Sequence, residues 1–174
     1  MEGPTPVSAL IHAATMVTAG IYLCVRLSYV FEFSSLALNL MAFTGTITSF
    51  IAGLIGFLQS DIKKIISYST LGQLGYMLLL CGSSQYDTAI YHLVSHAAFK
   101  GLLFLTGGVF IVLYRNQDTR KMSGLKLLSG FLYTVVLIGT MASDGFLFFS
   151  SVESKDLVLE IGSYSFVMSA SLSF

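Results

Sequence analysis

The sequence predicts an all-α, polytopic transmembrane bundle with about five spans and the start of a sixth. Three observations predict it. The 174 residues are 55% hydrophobic and only 10% charged, with a mean hydropathy of +0.80, whereas a soluble domain carries about 25% charged residues. Apolar runs long enough to cross a bilayer recur along the chain, and a crossing helix needs about 20 mostly apolar residues. The segments between those runs are short.

The first run covers residues 7–25, with His12 as its only ionisable group, Arg26 closing it and Thr5-Pro6 as cap and first-turn proline. The second covers residues 33–60, helical from about Ala37 to the Gln59-Ser60-Asp61 boundary. The third, residues 65–80, reaches the turn Cys81-Gly82-Ser83-Ser84, and Asp61 is placed to cap it. The fourth covers residues 88–114 and holds one formal charge, Lys100. After a polar loop at 115–121, the fifth begins near Leu127 and meets Asp144, Glu153, Lys155 and Asp156. The tail from Ile161 is apolar, serine-rich and too short to span, so it is expected to begin another helix. The whole chain reads as one transmembrane domain.

Short loops make neighbouring helices antiparallel. Alternating the loops gathers Lys63, Lys64, Arg115, Arg120, Lys121 and Lys126 on the side of the N-terminus and leaves Arg26 alone on the other. The basic side is expected to be cytoplasmic, or matrix in a mitochondrion. Lys63 and Lys64 read as boundary anchors. The nine basic and nine acidic residues cancel, so no polycationic face points to nucleic acid. Residues 1–6 lack a basic segment before the first apolar run, so neither a signal nor a transit peptide is expected. Cys24 and Cys81 lie in apolar runs without metal spacing and read as small buried hydrophobes. The glycines within the spans, Gly53 and Gly56 among them, are expected to let helix backbones approach closely.

His92, His96 and Lys100 stand at i, i+4 and i+8, which aligns them on one helical face over roughly 12 Å. An ionised group at the bilayer centre costs about 2.5–3.5 kcal/mol, and such groups face a bundle interior or a hydrated cavity. Histidine changes charge near neutral pH, so the row suits a proton relay. A structural polar cluster and a metal pair on His92 and His96 are the rival readings, the latter without further ligands in the sequence. His12 is alone in its span, with Thr15 and Thr18 about a turn on, and on the residues alone a lone histidine is more often a satisfied core residue than a functional one. Lys155 lies in the polar interruption from Ser150 to Asp156, which reads either as a broken intramembrane helix or as a loop of solvated charges. Asp144, Glu153 and Asp156 are its candidate ion-pair partners.

Several segments together resemble the chain 5 family of NADH:ubiquinone oxidoreductase, the antiporter-like subunits of respiratory complex I. They are Glu2-Gly3-Pro4-Thr5-Pro6 through His12 and on to Gly20, Gln59 through Met77, His92 through Leu105, Gln117 through Leu125, and Ser154-Lys155-Asp156 with Glu160. Glu2-Gly3 before Pro-Thr-Pro is more similar to complex I than to sodium/proton antiporter subunits. The resemblance covers roughly residues 1–160. It implies an antiporter-like fold of inverted five-helix repeats, with this chain holding the eighth to twelfth helices. It implies proton-translocating roles for His12, His92, His96, Lys100 and Lys155, the last on a broken twelfth helix. The family has a proline where Leu147 stands, a glycine at Ser151, an aromatic at Glu153 and no acid at Asp144. These departures weaken the case for a broken helix and place two acids where they could hold Lys155 in an ion pair.

The resemblance also implies no redox chemistry on this chain, with FMN, iron–sulfur clusters and ubiquinone on other subunits. The sequence agrees in having no glycine-rich dinucleotide fingerprint and no cysteine cluster. Family members are several times longer, so a split-gene product or a fragment is expected, completed by membrane-arm chains that carry the missing first half, with lipids around it. Alternative readings are a subunit of an Mrp-type cation/proton antiporter and a structural scaffold that has lost pumping. The Trp-free, Phe-, Ser- and Tyr-rich composition fits the mitochondrial inner membrane; a bacterial plasma membrane is the alternative.

Overall fold

A computed structural model describes residues 3–124, 129–146 and 150–172, with side chains other than those of 12–14, 150–151 and 164–172. Seven helices and a short 3-10 turn, Thr119–Lys121, follow one another among these residues. Helix α1, Thr5–Arg26, has Pro4 at its N-cap, so Thr5 is its first residue rather than its cap, while Pro6 lies in the first turn as expected. Its Ser8–Thr15 stretch is π-helical, widened by one residue per turn, so the amide of Met16 reaches back to the Ile11 carbonyl. Helix α2 is the short Ser28–Glu32, which lies between the first two apolar runs. Helix α3, Ser35–Leu58, starts where the Ser34 hydroxyl accepts from the Ala37 amide at 3.3 Å. Helix α4 is Ile62–Gly82 and α5 is Tyr86–Tyr114, the latter stopped by Arg115 in the left-handed region. Asp61 sits at the start of α4 but does not cap it with its side chain; its carboxylate pairs with Lys64 at 3.2 Å instead.

The expected fifth span is two helices. Helix α6, Gly130–Asp144, is capped by Ser129 and ended by Gly145, whose φ of +79° is a left-handed conformation that glycine adopts without steric cost. Helix α7, Ser150–Leu172, follows. The chain therefore breaks here although two expected breakers are absent; of those positions, Leu147 and the side chain of Ser151 lie outside the described residues. The break precedes the polar stretch, and the tail from Ile161 continues α7 rather than starting a further helix. Helices α1, α3, α4 and α5 are each long and apolar enough to cross a membrane, and α6 is a shorter apolar helix.

Packing follows small residues. A Cβ on Gly75 would stand 2.7 Å from the Gly45 carbonyl oxygen and 2.7 Å from the Ser49 amide nitrogen, so α3 and α4 meet backbone to backbone. Gly53, expected to serve this purpose, faces open space. A core of Ile21, Leu74, Met77, Leu80, Cys81, Ala89 and Val158 ties α1, α4, α5 and α7 together. The outward face of α3 carries Leu36, Phe43, Phe50 and Phe57, spaced by seven residues and all largely exposed. Apolar groups lie outside and ionisable groups inside, the pattern of a chain whose solvent is lipid.

One end of the bundle collects the expected loops. Thr119 donates from its amide and its hydroxyl to the Ser60 carbonyl, at 2.9 and 2.8 Å, and the Ile62 amide donates to Gln117 at 3.1 Å. Lys63 is buried and donates to the Gly3 carbonyl at 3.1 Å, which brings the N-terminal segment to that end. Lys63 is therefore an internal tie rather than a surface anchor. Lys126 lies outside the described residues.

Candidate functional site: a buried basic column

Helix α5 presents His92, His96 and Lys100 to the bundle interior, where they are 0%, 0% and 2% exposed. The i, i+4, i+8 spacing places them on one face, and that face turns toward α4 and α7. The opposite side of α5 carries exposed Val94, Leu105 and Val112. His92 Nδ1 lies 2.9 Å from the Ser154 hydroxyl on α7, and its Nε2 lies 2.9 Å from Gln73 Oε1 on α4. Lys100 donates to the Ser69 hydroxyl at 2.6 Å. His96 packs edge-on against Phe99 with ring centroids 5.4 Å apart, and neither of its ring nitrogens has a hydrogen-bond partner among the described residues. Its ring centroid is 6.4 Å from that of His92. Burying a polar group without a hydrogen bond costs free energy, so among the three groups His96 is the one whose burial its described neighbours do not offset.

Lys155, next in sequence to Ser154, is half-buried and donates to the backbone carbonyl of Ser143. That carbonyl is in the last turn of α6, where backbone oxygens have no partner within the helix and the helix end is negative. The ammonium thus caps the broken end of α6. The candidate ion pairs do not form: among the described residues the ion pairs within 4.0 Å are Lys64–Asp61 and Lys121–Asp118. The geometry explains why. Glu153 and Asp156, two residues before Lys155 and one after it, do not share its helix face. Glu153 instead accepts from the Tyr91 hydroxyl at 3.4 Å. Asp144 follows Ser143 at the end of α6, with its carboxylate 3.4 Å from the Ser143 hydroxyl.

The structure therefore places His92, His96 and Lys100 together on the inner face of α5, with His92 bonded to Gln73 and Ser154 and Lys100 to Ser69, while Lys155, the residue after Ser154, bonds the end of α6. His12 belongs to the π-helical stretch of α1, and its side chain lies outside the described residues. Thr15 donates to the Leu10 carbonyl at 2.9 Å, and Thr18 to the Thr15 carbonyl at 3.1 Å. Sequence reasoning missed Gln73, Ser69 and Ser154 as site residues. The available signal was the four-residue spacing of Ser69 and Gln73, which puts two polar groups on one face of α4. No three His, Cys, Asp or Glu side chains among the described residues come together in a metal-binding group. Cys24 and Cys81 are free thiols against the apolar core.

The fold and this column define a polytopic helical membrane protein with an ionisable interior. The chain belongs to the transmembrane family described as NADH:quinone oxidoreductase/Mrp antiporter, whose model matches residues 1–173. It is 49% identical over 175 residues to the NADH-ubiquinone oxidoreductase chain 5 of Marchantia polymorpha, a match covering all of this chain and 26% of the relative. It is 52% identical over 167 residues to that of Phytophthora infestans, covering 95% of this chain and 25% of the relative. With that of Arabidopsis thaliana it shares 48% identity over 175 residues, again all of this chain and 26% of the relative. The chain spans about a quarter of the length of the curated relatives it matches.

Proposed function

We propose that the chain is a proton-translocating part of the membrane arm of respiratory complex I, coupling NADH:ubiquinone electron transfer elsewhere in the complex to proton movement. The buried column carries this reading. Three titratable groups are fully enclosed on one face of α5, and His92 meets Ser154, the residue before Lys155, on the helix that follows a break. The family supplies the context, and relatives named chain 5 favour complex I over the Mrp-type antiporter that the family also includes. His92 exchanges a proton with the Ser154 hydroxyl, Lys100 holds one at the far end against Ser69, and Lys155 holds one at the α6 terminus. His12 is a further member of the route. No redox group sits on this chain; FMN, iron–sulfur clusters and ubiquinone belong to companion subunits. The partners are the other membrane-arm chains, including one carrying the remaining antiporter-like half, and the setting is the mitochondrial inner membrane.

The test replaces Lys100 or Lys155 with methionine in the assembled complex and measures protons pumped per NADH oxidised in sealed vesicles. Reduced pumping per electron is expected for both. Unchanged stoichiometry in both variants would leave the chain a scaffold. Co-purification without flavin and iron–sulfur chains would favour an antiporter outside respiration.

A further inference from the structure

Gln73 occupies the side of His92 by which a proton would leave, and we infer that it is a gate in the column: a positioning residue whose amide keeps His92 Nε2 engaged until α4 moves. The inference rests on the reading of the column as a proton route. Both nitrogens of His92 are committed, Nδ1 to Ser154 Oγ and Nε2 to Gln73 Oε1, each at 2.9 Å. An amide oxygen is an acceptor only, so the hydrogen of that bond sits on Nε2. Nδ1 then keeps its lone pair, and the Ser154 hydroxyl donates to it.

The two sides of the ring differ in what they can pass on. A hydroxyl donates and accepts at one atom, so Ser154 can receive a proton while handing its own to Nδ1. Protonation at Nδ1 gives an imidazolium with hydrogens on both nitrogens. The proton that must move on is then the one on Nε2, and it points at an amide oxygen that accepts a hydrogen bond but does not carry the proton further. His96 is the next group, with its ring centroid 6.4 Å away and both nitrogens without a hydrogen-bond partner among the described residues. The step from His92 to His96 therefore waits on the release of Nε2 from Gln73. Once Nε2 is free, its N–H bond breaks and one forms at a His96 nitrogen, which leaves His92 neutral with its hydrogen on Nδ1 and the positive charge on His96. Helix α4 also carries Ser69, one turn from Gln73 and bonded to Lys100. A shift of this one helix would loosen both ends of the column together.

The experiment measures passive proton conductance of proteoliposomes holding the purified complex, without NADH, under an imposed pH gradient. Gln73→Leu removes the acceptor at similar bulk. Passive conductance is expected to rise by about tenfold, the factor set by one buried hydrogen bond. Electron transfer should continue, with fewer protons retained per NADH. The double variant Gln73→Leu, Lys100→Met should lose the added conductance. Conductance that Lys100→Met leaves untouched runs outside the column and overturns the gate. Wild-type conductance in Gln73→Leu, while Lys100→Met alone still lowers pumping, overturns the gate and leaves the column standing. Full pumping in both Lys100→Met and Lys155→Met overturns the column itself.

Discussion

Lys100 offers a perturbation whose structural and functional effects should have opposite signs. Its ammonium is 2% exposed and bonded to Ser69, with no carboxylate within 4.0 Å among the described residues. Holding a charged lysine in the middle of a span costs about 2.5–3.5 kcal/mol. One charge-assisted hydrogen bond offsets about 1.5–3 kcal/mol of that. Lys100→Met removes both at similar side-chain length. The Ser69 hydroxyl keeps its own acceptor, the Ile66 carbonyl at 2.9 Å, so no donor is stranded. The balance predicts a complex between about 0.5 kcal/mol less stable and about 2 kcal/mol more stable, together with fewer protons pumped per NADH. The assay is the fraction of assembled complex surviving a temperature series on native gels, read beside pumping stoichiometry. A variant destabilised by more than about 1 kcal/mol that pumps normally would refute the reasoning, because Lys100 would then be a packing residue.

Other positions give sharper structural readouts. Gly75→Ala forces a Cβ to 2.7 Å from the Gly45 oxygen and should destabilise the α3–α4 contact by about 1–3 kcal/mol, seen as a lower melting temperature of the complex. Gly145→Ala, at φ +79°, should cost about 1 kcal/mol, and Gly145→Asn less, in the same melt. Lys155→Met removes the cap on α6 and should speed amide exchange in the last turn of that helix, whereas Lys155→Arg should not; equal exchange in the two would remove the capping role. Glu153→Gln should leave pumping unchanged, since its contact is with Tyr91 and not Lys155; a changed stoichiometry would restore the ion-pair idea.

The bundle was legible because its signals are one-dimensional. Apolar run length marks α1, α3, α4 and α5 within a few residues, and i, i+4, i+8 spacing marks the column on α5 without reference to any partner. What was not legible depends on which helix a face meets. Gln73, Ser69 and Ser154 look like ordinary polar residues in apolar helices until α4 and α7 are set against α5. Gly53 and Gly75 are equivalent in sequence, and only the helix crossing decides that Gly75 lies at the contact. The partner that Lys155 takes within hydrogen-bond reach was hidden for a related reason. Sequence proximity supplied three acids, but helix phase and the unsatisfied carbonyls of α6 supplied a better partner.

The break between α6 and α7 shows how those two kinds of information combine. Residue chemistry at Leu147 and Ser151 argued for continuity, yet one glycine is enough to end α6. A left-handed residue satisfies the helix end through its own amide, here Gly145 turning the next amide, that of Phe146, back to the Met141 carbonyl at 3.0 Å. Lys155 then reaches across the break to the Ser143 carbonyl, so the second helix helps hold the end of the first. Its sequence neighbour Ser154 meets His92 at the same level. Helix ending, lysine placement and histidine contact are therefore one arrangement. The lysine at the α6 terminus and the hydroxyl at His92 are adjacent residues of one helix, α7.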